Sequence, residues 1–243
     1  MNAYIAAIWG DLAASTLIIG AFIALRFNLS NRLVGAVMGF GSGALLGSIA
    51  YELVPESLIG NDRNIYFAFA LGALIFFVGD WLVDRWGGKH RKRLESQADG
   101  GSGTAIFLGT LLDGLPESLT LGIGLASGGS INLAFLTAIF ISNLPEGVAG
   151  TKSLVNEGHS PRQVYLMWGC LVIASALAAA MGFAVAYSLP TLDGQYMQAF
   201  AAGAMLTMLA DVMMPEAFAH GGKTVGLLTA LGFLMAAILS SFE

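Results

Sequence analysis

The chain has 243 residues, 56% hydrophobic and only 11% charged, with mean hydropathy +0.73 and a formal charge of −5. Soluble domains carry about a quarter charged residues, so the composition excludes an ordinary soluble protein and points to lipid as the solvent. A lone cysteine, Cys170, excludes an internal disulfide or a Cys-x-x-Cys metal site, and the 11 basic residues, few and confined to loops, show no nucleic-acid signature.

About 20 apolar residues cross a bilayer. Eight such segments follow in chain order: 3–25, 34–58, 65–86, 104–127, 130–151, 164–188, 195–218 and 222–242. The first holds no basic residue before Arg26, so it reads as a membrane helix rather than a cleavable leader. The expected fold is therefore an all-α integral membrane domain over 1–243. Helices one to three occupy 1–86, a basic cytoplasmic loop 87–103, helices four and five 104–151, and helices six to eight 164–243, a 3+2+3 layout.

Eight spans place the loops alternately on two sides. Arg26, Arg32, Arg85, Lys89, Arg91, Lys92, Arg93, Lys152, Arg162 and Lys223 then fall on one side, and only Arg63 on the other. Cytoplasmic loops concentrate lysine and arginine, so both termini are expected outside the cytoplasm. Tyr66, Trp86, Tyr165, Trp168 and Tyr196 lie near span ends, where interfacial aromatics are expected.

The second and seventh segments resemble each other. Phe40, Gly43, Ala44, Leu46, Ala50, Pro55 and Glu56 match Phe200, Gly203, Ala204, Leu206, Ala210, Pro215 and Glu216 at a fixed offset. The predicted topology runs the two segments in opposite directions. This is the signature of an inverted repeat relating helices 1–3 to 6–8, as in secondary transporters.

The fourth segment carries Asp113-Gly114-Leu115-Pro116-Glu117-Ser118, and the fifth Ser142-Asn143-Leu144-Pro145-Glu146-Gly147. Asp113 and Glu117 share a helix face, as do Asn143 and Glu146. An ionised side chain near mid-span costs ~2.5–3.5 kcal/mol, and no span holds a lysine, arginine or histidine to pair these acids. A cation among them, or protonation, resolves that cost. Proline donates no N–H, so Pro116 and Pro145 are expected to free the carbonyls of Leu112 and Ile141, one turn before the two glutamates. Several oxygen donors at one depth suit a hard divalent ion.

Further acids lie towards the span ends: Glu52 and Glu56 on the second segment, Asp211 and Glu216 on the seventh. They are expected to form acidic funnels leading in and out. Asp11 is expected to bond a neighbouring helix and Asp80 to reach the interface. His90, His159 and His220 fall outside the spans.

These residues resemble the ZIP (Zrt/Irt-like) family of divalent metal transporters, in its bacterial form but with a divergent fourth-helix motif. The family's His-Asn-x-Pro-Glu-Gly pattern matches Asp113 to Ser118, with Asp113 for the histidine and Gly114 for the asparagine. Its His-x-x-Pro-Glu ending matches Glu52 to Glu56, and its seventh helix matches the segment with Asp211 and Glu216. The sixth segment, with only Ser175, lacks the acid that many relatives place there. The resemblance implies one transport site through Asp113, Glu117, Asn143 and Glu146, with Ser142, Glu52, Glu56, Asp211 and Glu216 as further metal-contacting positions. It implies uptake into the cytoplasm of zinc, the family's commonest substrate, although an all-oxygen site weakens zinc preference towards manganese or ferrous iron. No prosthetic group is expected, because the metal is cargo. The expected partners are divalent ions, the bilayer and a second copy of the chain. A membrane-embedded metalloenzyme is the remote alternative, since no His-Glu-x-x-His motif or buried histidine is present.

Overall fold

The protein is described by a computed structural model that covers residues 2–54, 63–85, 103–128, 132–188 and 194–242. Among the described residues all regular structure is helical. The eight helices are α1 (Ala3–Arg26), α2 (Asn31–Leu53), α3 (Arg63–Arg85), α4 (Gly103–Gly128), α5 (Leu133–Asn156), α6 (Pro161–Ser188), α7 (Gly194–Gly221) and α8 (Thr224–Ser240). Side chains fix several starts. Asn2 caps the N–H of Ile5, Ser30 that of Leu33, and Asn132 that of Phe135, each satisfying a donor the helix leaves open.

Each predicted segment corresponds to one helix. The clearest shift is at α5, which continues past 151 to Asn156 and takes Lys152 into the helix. Among the described residues, six helices are long and apolar enough to cross a membrane. Helix α8, with 17 residues, is a shorter apolar helix.

Two helices contain a wide turn that the sequence pattern does not predict. Residues Ile49–Leu53 of α2 and Leu209–Met213 of α7 form π-helical turns, with the N–H of Val54 on Ile49 O and that of Met214 on Leu209 O. Pro55 and Pro215 follow each turn by one residue. A proline ring collides with the carbonyl four residues back in an α-helix, and in α7 the wide turn stands just before Pro215.

Glycines decide which helices touch. Gly20 and Gly147 join α1 to α5, Gly122 and Gly182 join α4 to α6, Gly43 and Gly232 join α2 to α8, and Gly72 and Gly203 join α3 to α7. In each pair, each glycine faces a backbone carbonyl of the other helix. Small residues permit such approach where lipid gives no hydrophobic drive between helices. The matched positions fix direction. Gly39 meets Val225 and Gly43 meets Thr229, so α2 and α8 are parallel; Asn143 meets Ala13 and Gly147 meets Leu17, so α1 and α5 are parallel.

Helices α2 and α5 instead run antiparallel and are pinned at three levels. Asn132 donates to Glu52 at one end, Gly41 sits on Ser142 in the middle, and Lys152 Nζ donates to Leu29 O and Asn31 Oδ1 at the other. A hydrophobic cluster including Leu45, Ile49, Phe135, Ile139, Met205 and Met208 fills the space among α2, α5 and α7. A cavity of about 880 Å³ lies among α3, α4, α6 and α7, walled by hydrocarbon from Phe67, Leu71, Leu112, Leu115, Pro116 and Met181.

Two expectations are corrected. Trp168 is not interfacial: it is 1% exposed, and its Nε1 donates to Thr151 Oγ1 at 2.8 Å, tying α6 to α5. Asp11 lies exposed on the outer face of α1, beside the exposed Ile8 and Leu12, and forms no bond to a neighbouring helix among the described residues. Replacing Trp168 with phenylalanine removes that buried hydrogen bond and is expected to cost about 1–3 kcal/mol. Thermal unfolding in detergent checks this against Tyr187→Phe, which alters a residue 73% exposed and is expected to be neutral.

Candidate metal site

The fourth and fifth helices carry their motifs in unbroken helix, with Pro116 and Pro145 inside. Asp113 and Glu117 are 1% and 3% exposed, Asn143 and Glu146 5% and 4%, and Ser142 is fully buried. None of the five faces lipid. Thr110 and Thr120 are also buried on α4. Spaced with Asp113 and Glu117 at three- and four-residue steps, they extend a polar stripe along one face over about 15 Å.

The surrounding contacts orient these groups. The amide nitrogen of Asn143 donates to Ala13 O of α1 at 3.3 Å, which commits that end and leaves Oδ1 as the end that can meet a cation. Ser142 Oγ donates to Ile139 O at 2.9 Å, and its oxygen keeps acceptor capacity. Thr120 Oγ1 donates to Pro116 O at 2.7 Å and also approaches Met205 Sδ of α7 at 3.9 Å. The Ile141 carbonyl, expected to be freed by Pro145, lies against Gly41 of α2, 3.4 Å from where a Cβ there would stand. Ser175 of α6 abuts the fourth-helix motif, its Oγ 3.8 Å from where a Cβ on Gly114 would stand.

The acids predicted outside this region are placed separately. Glu52 lies in the π-turn of α2 and is half-buried; its Oε2 accepts from Asn132 Nδ2, at the start of α5. Asp211 lies in the π-turn of α7 and is exposed, and Glu216 is half-buried shortly after it. Glu56 lies outside the described residues, as do His90 and the basic run around it. Among the described residues no three His, Cys, Asp or Glu side chains converge closely enough to hold a metal. Asp113, Glu117 and Glu146 thus share burial and adjacent helices but do not close into a three-carboxylate cage, which like charges in a low dielectric would resist.

Away from the spans, His159 Nε2 lies 4.0 Å from Glu157 Oε2 beyond the end of α5. Burial pushes the Glu157 carboxyl above its ordinary range, and the charge of His159 opposes that shift.

Sequence reasoning missed Asn132 and Lys152. Both had a signal: an asparagine just before an apolar run is a helix cap, and the only basic residue at the end of a motif helix invites a backbone partner. The buried Gln198 of α7 had none.

No known family profile matches the chain. The chain is similar to a curated protein of Arabidopsis thaliana named "Putative zinc transporter At3g08650", with 26% identity over 209 residues. That match covers 82% of this chain but 32% of the relative, so the chain spans about a third of the relative's length.

Proposed function

We propose that this chain is a carrier of divalent metal ions in the cell membrane, of the ZIP type, with zinc as its first cargo and manganese or ferrous iron as alternatives. The observation that carries this reading is the burial of Asp113, Glu117 and Glu146, each under 5% exposed, on two adjacent helices. Ionised groups at such depth are costly and mark ion paths. The name of the Arabidopsis relative, "Putative zinc transporter At3g08650", supports metal as the cargo. The chain acts as a transporter, not an enzyme, and needs no prosthetic group.

On this reading the eight helices are eight spans in a 3+2+3 layout. The excess of lysine and arginine on one side puts both termini outside and loop 87–103 inside. Several features support an inverted repeat. The π-turns at 49–53 and 209–213 stand 160 residues apart, at the offset that aligns Phe40 with Phe200. The glycine pairs also map onto each other: α2 joins α8 as α7 joins α3, and α1 joins α5 as α6 joins α4.

Those pairs divide the helices into α1, α4, α5 and α6, which hold the carboxylates, and α2, α3, α7 and α8, which pack against them. Alternating access is a shift of the first set against the second, along the seams where Gly41 meets Ser142 and Thr120 meets Met205. Asp113, Glu117, Asn143 and Glu146, not gathered into one cage in this structure, draw together on the ion as the helices shift, Ser142 adds a hydroxyl, and the two glutamates exchange metal for protons. Glu52 and Glu56 serve one mouth, Asp211 and Glu216 the other. The exposed face of α3, with Phe67, Leu74 and Phe77, meets lipid or a second copy.

Purified protein in liposomes is expected to take up zinc saturably, with manganese and ferrous iron competing. Absence of saturable uptake of all three, with binding of an organic solute, would overturn the reading.

A further inference from the structure

Asn132 has both ends of its side chain engaged. Oδ1 accepts from the N–H of Phe135 at 2.6 Å, which starts α5, and Nδ2 donates to Glu52 Oε2 on α2. Glu52 therefore has one carboxylate oxygen committed. The other, Oε1, is buried and has no hydrogen-bond partner among the described residues. Ser48 Oγ is in the same condition, and Ser48 is 1% exposed. Ser48 and Glu52 are four residues apart, hence neighbours on one face of α2.

Two buried oxygens without partners on adjacent turns carry a desolvation cost, and a hard cation answers both. A carboxylate and a hydroxyl are also its preferred donors. The position suits a stop on the way to the motif helices. Glu52 stands 11 residues along α2 from Gly41, which touches Ser142, or about 16 Å at helical rise.

We infer that Ser48 Oγ and Glu52 Oε1 form an oxygen-lined subsite for a divalent cation at one mouth of the pathway, and that Asn132 is its positioning residue. By holding Oε2, Asn132 turns Oε1 towards the ion. By capping α5 with the same amide, it fixes the subsite relative to the helix that bears Asn143 and Glu146. This rests on the transport reading above, but it assigns a separate place on the route and a residue that does not itself bind metal.

Asn132→Ser separates the two roles of the side chain. Serine is a strong helix cap, so α5 keeps its start, but its hydroxyl lacks the reach of the amide to Glu52. In zinc uptake by liposomes containing the full chain, Asn132→Ser is expected to raise KM about tenfold, the scale of losing an outer-shell partner. kcat should stay within about twofold, and the unfolding temperature should fall by no more than the loss of one interhelical hydrogen bond brings. Ser48→Ala should raise KM in the same direction. A wild-type KM in both variants overturns the subsite, as does a loss of kcat and stability at unchanged KM, which would leave Asn132 as a cap alone. Glu117→Gln, measured in parallel, separates the two readings. If Glu117→Gln loses uptake while both mouth variants behave as wild type, the subsite fails and the transport reading stands. If wild-type protein takes up no zinc, both fall together.

Discussion

Glu117→Gln and Glu146→Gln each reduce zinc uptake by about 100-fold or more, while the folded protein becomes no less stable. The size follows from the role assigned to the two side chains. Outer-shell partners of a metal are already worth 10–100-fold, and a group that contacts the ion should exceed them. The stability effect runs the other way because each glutamate is a buried acid, 3% or 4% exposed. An amide of the same volume removes the ionisable group without opening a cavity, so the penalty of ~2.5–3.5 kcal/mol for charge at that depth is relieved. A purely structural carboxylate would instead lose stability while the protein that stays folded keeps its uptake. Uptake assays in liposomes and thermal unfolding in detergent, run on the same preparations, separate the two. Wild-type uptake in the double variant would sink the assignment of the site to α4 and α5.

The features the sequence makes legible are those with a strong one-dimensional signal. Apolar runs of about 20 residues locate all eight helices, because lipid requires every backbone group to be bonded within its own segment. The burial of Asp113, Glu117 and Glu146 follows from their mid-run positions and from their spacing, which turns them to one face. The π-turns leave no periodic trace. Trp168 misleads because a tryptophan near a predicted span end ordinarily belongs to the interfacial belt, whereas here its N–H finds Thr151 across a helix contact. The Asn132–Glu52 bond joins residues 80 apart in the chain. Helix capping predicts one half of what Asn132 does, and only the antiparallel register of α2 and α5 reveals the other.

That register depends on glycine, and substituting the paired glycines should have the largest effect on folding. A Cβ on Gly43 would stand 1.9 Å from Thr229 O, one on Gly72 1.9 Å from Phe200 O, and one on Gly122 1.9 Å from Ala179 O. Each obstacle is a backbone oxygen within a helix, so no side-chain rotation relieves it; the helices must move apart. Overpacking of this kind costs about 1–3 kcal/mol, sometimes more, and parting the helices also removes the close packing that holds them together in lipid. Gly43→Ala and Gly122→Ala are therefore expected to lower the unfolding temperature markedly. Gly169→Ala, where nothing lies within 4 Å, is expected to raise it slightly, since alanine favours a helix interior over glycine by roughly 0.5–1 kcal/mol. The reciprocal arrangement adds a sharper test. A Cβ on Gly182 would stand 2.4 Å from Leu119 O, one turn from Gly122 at the same crossing. Once the first alanine has parted α4 from α6, the second meets less resistance. The double variant should then lose clearly less than the sum of the two singles, as residues sharing one contact do. Additive losses would mean that the two glycines face separate constraints, and a Gly43→Ala protein as stable as Gly169→Ala would mean that α2 and α8 do not approach this closely.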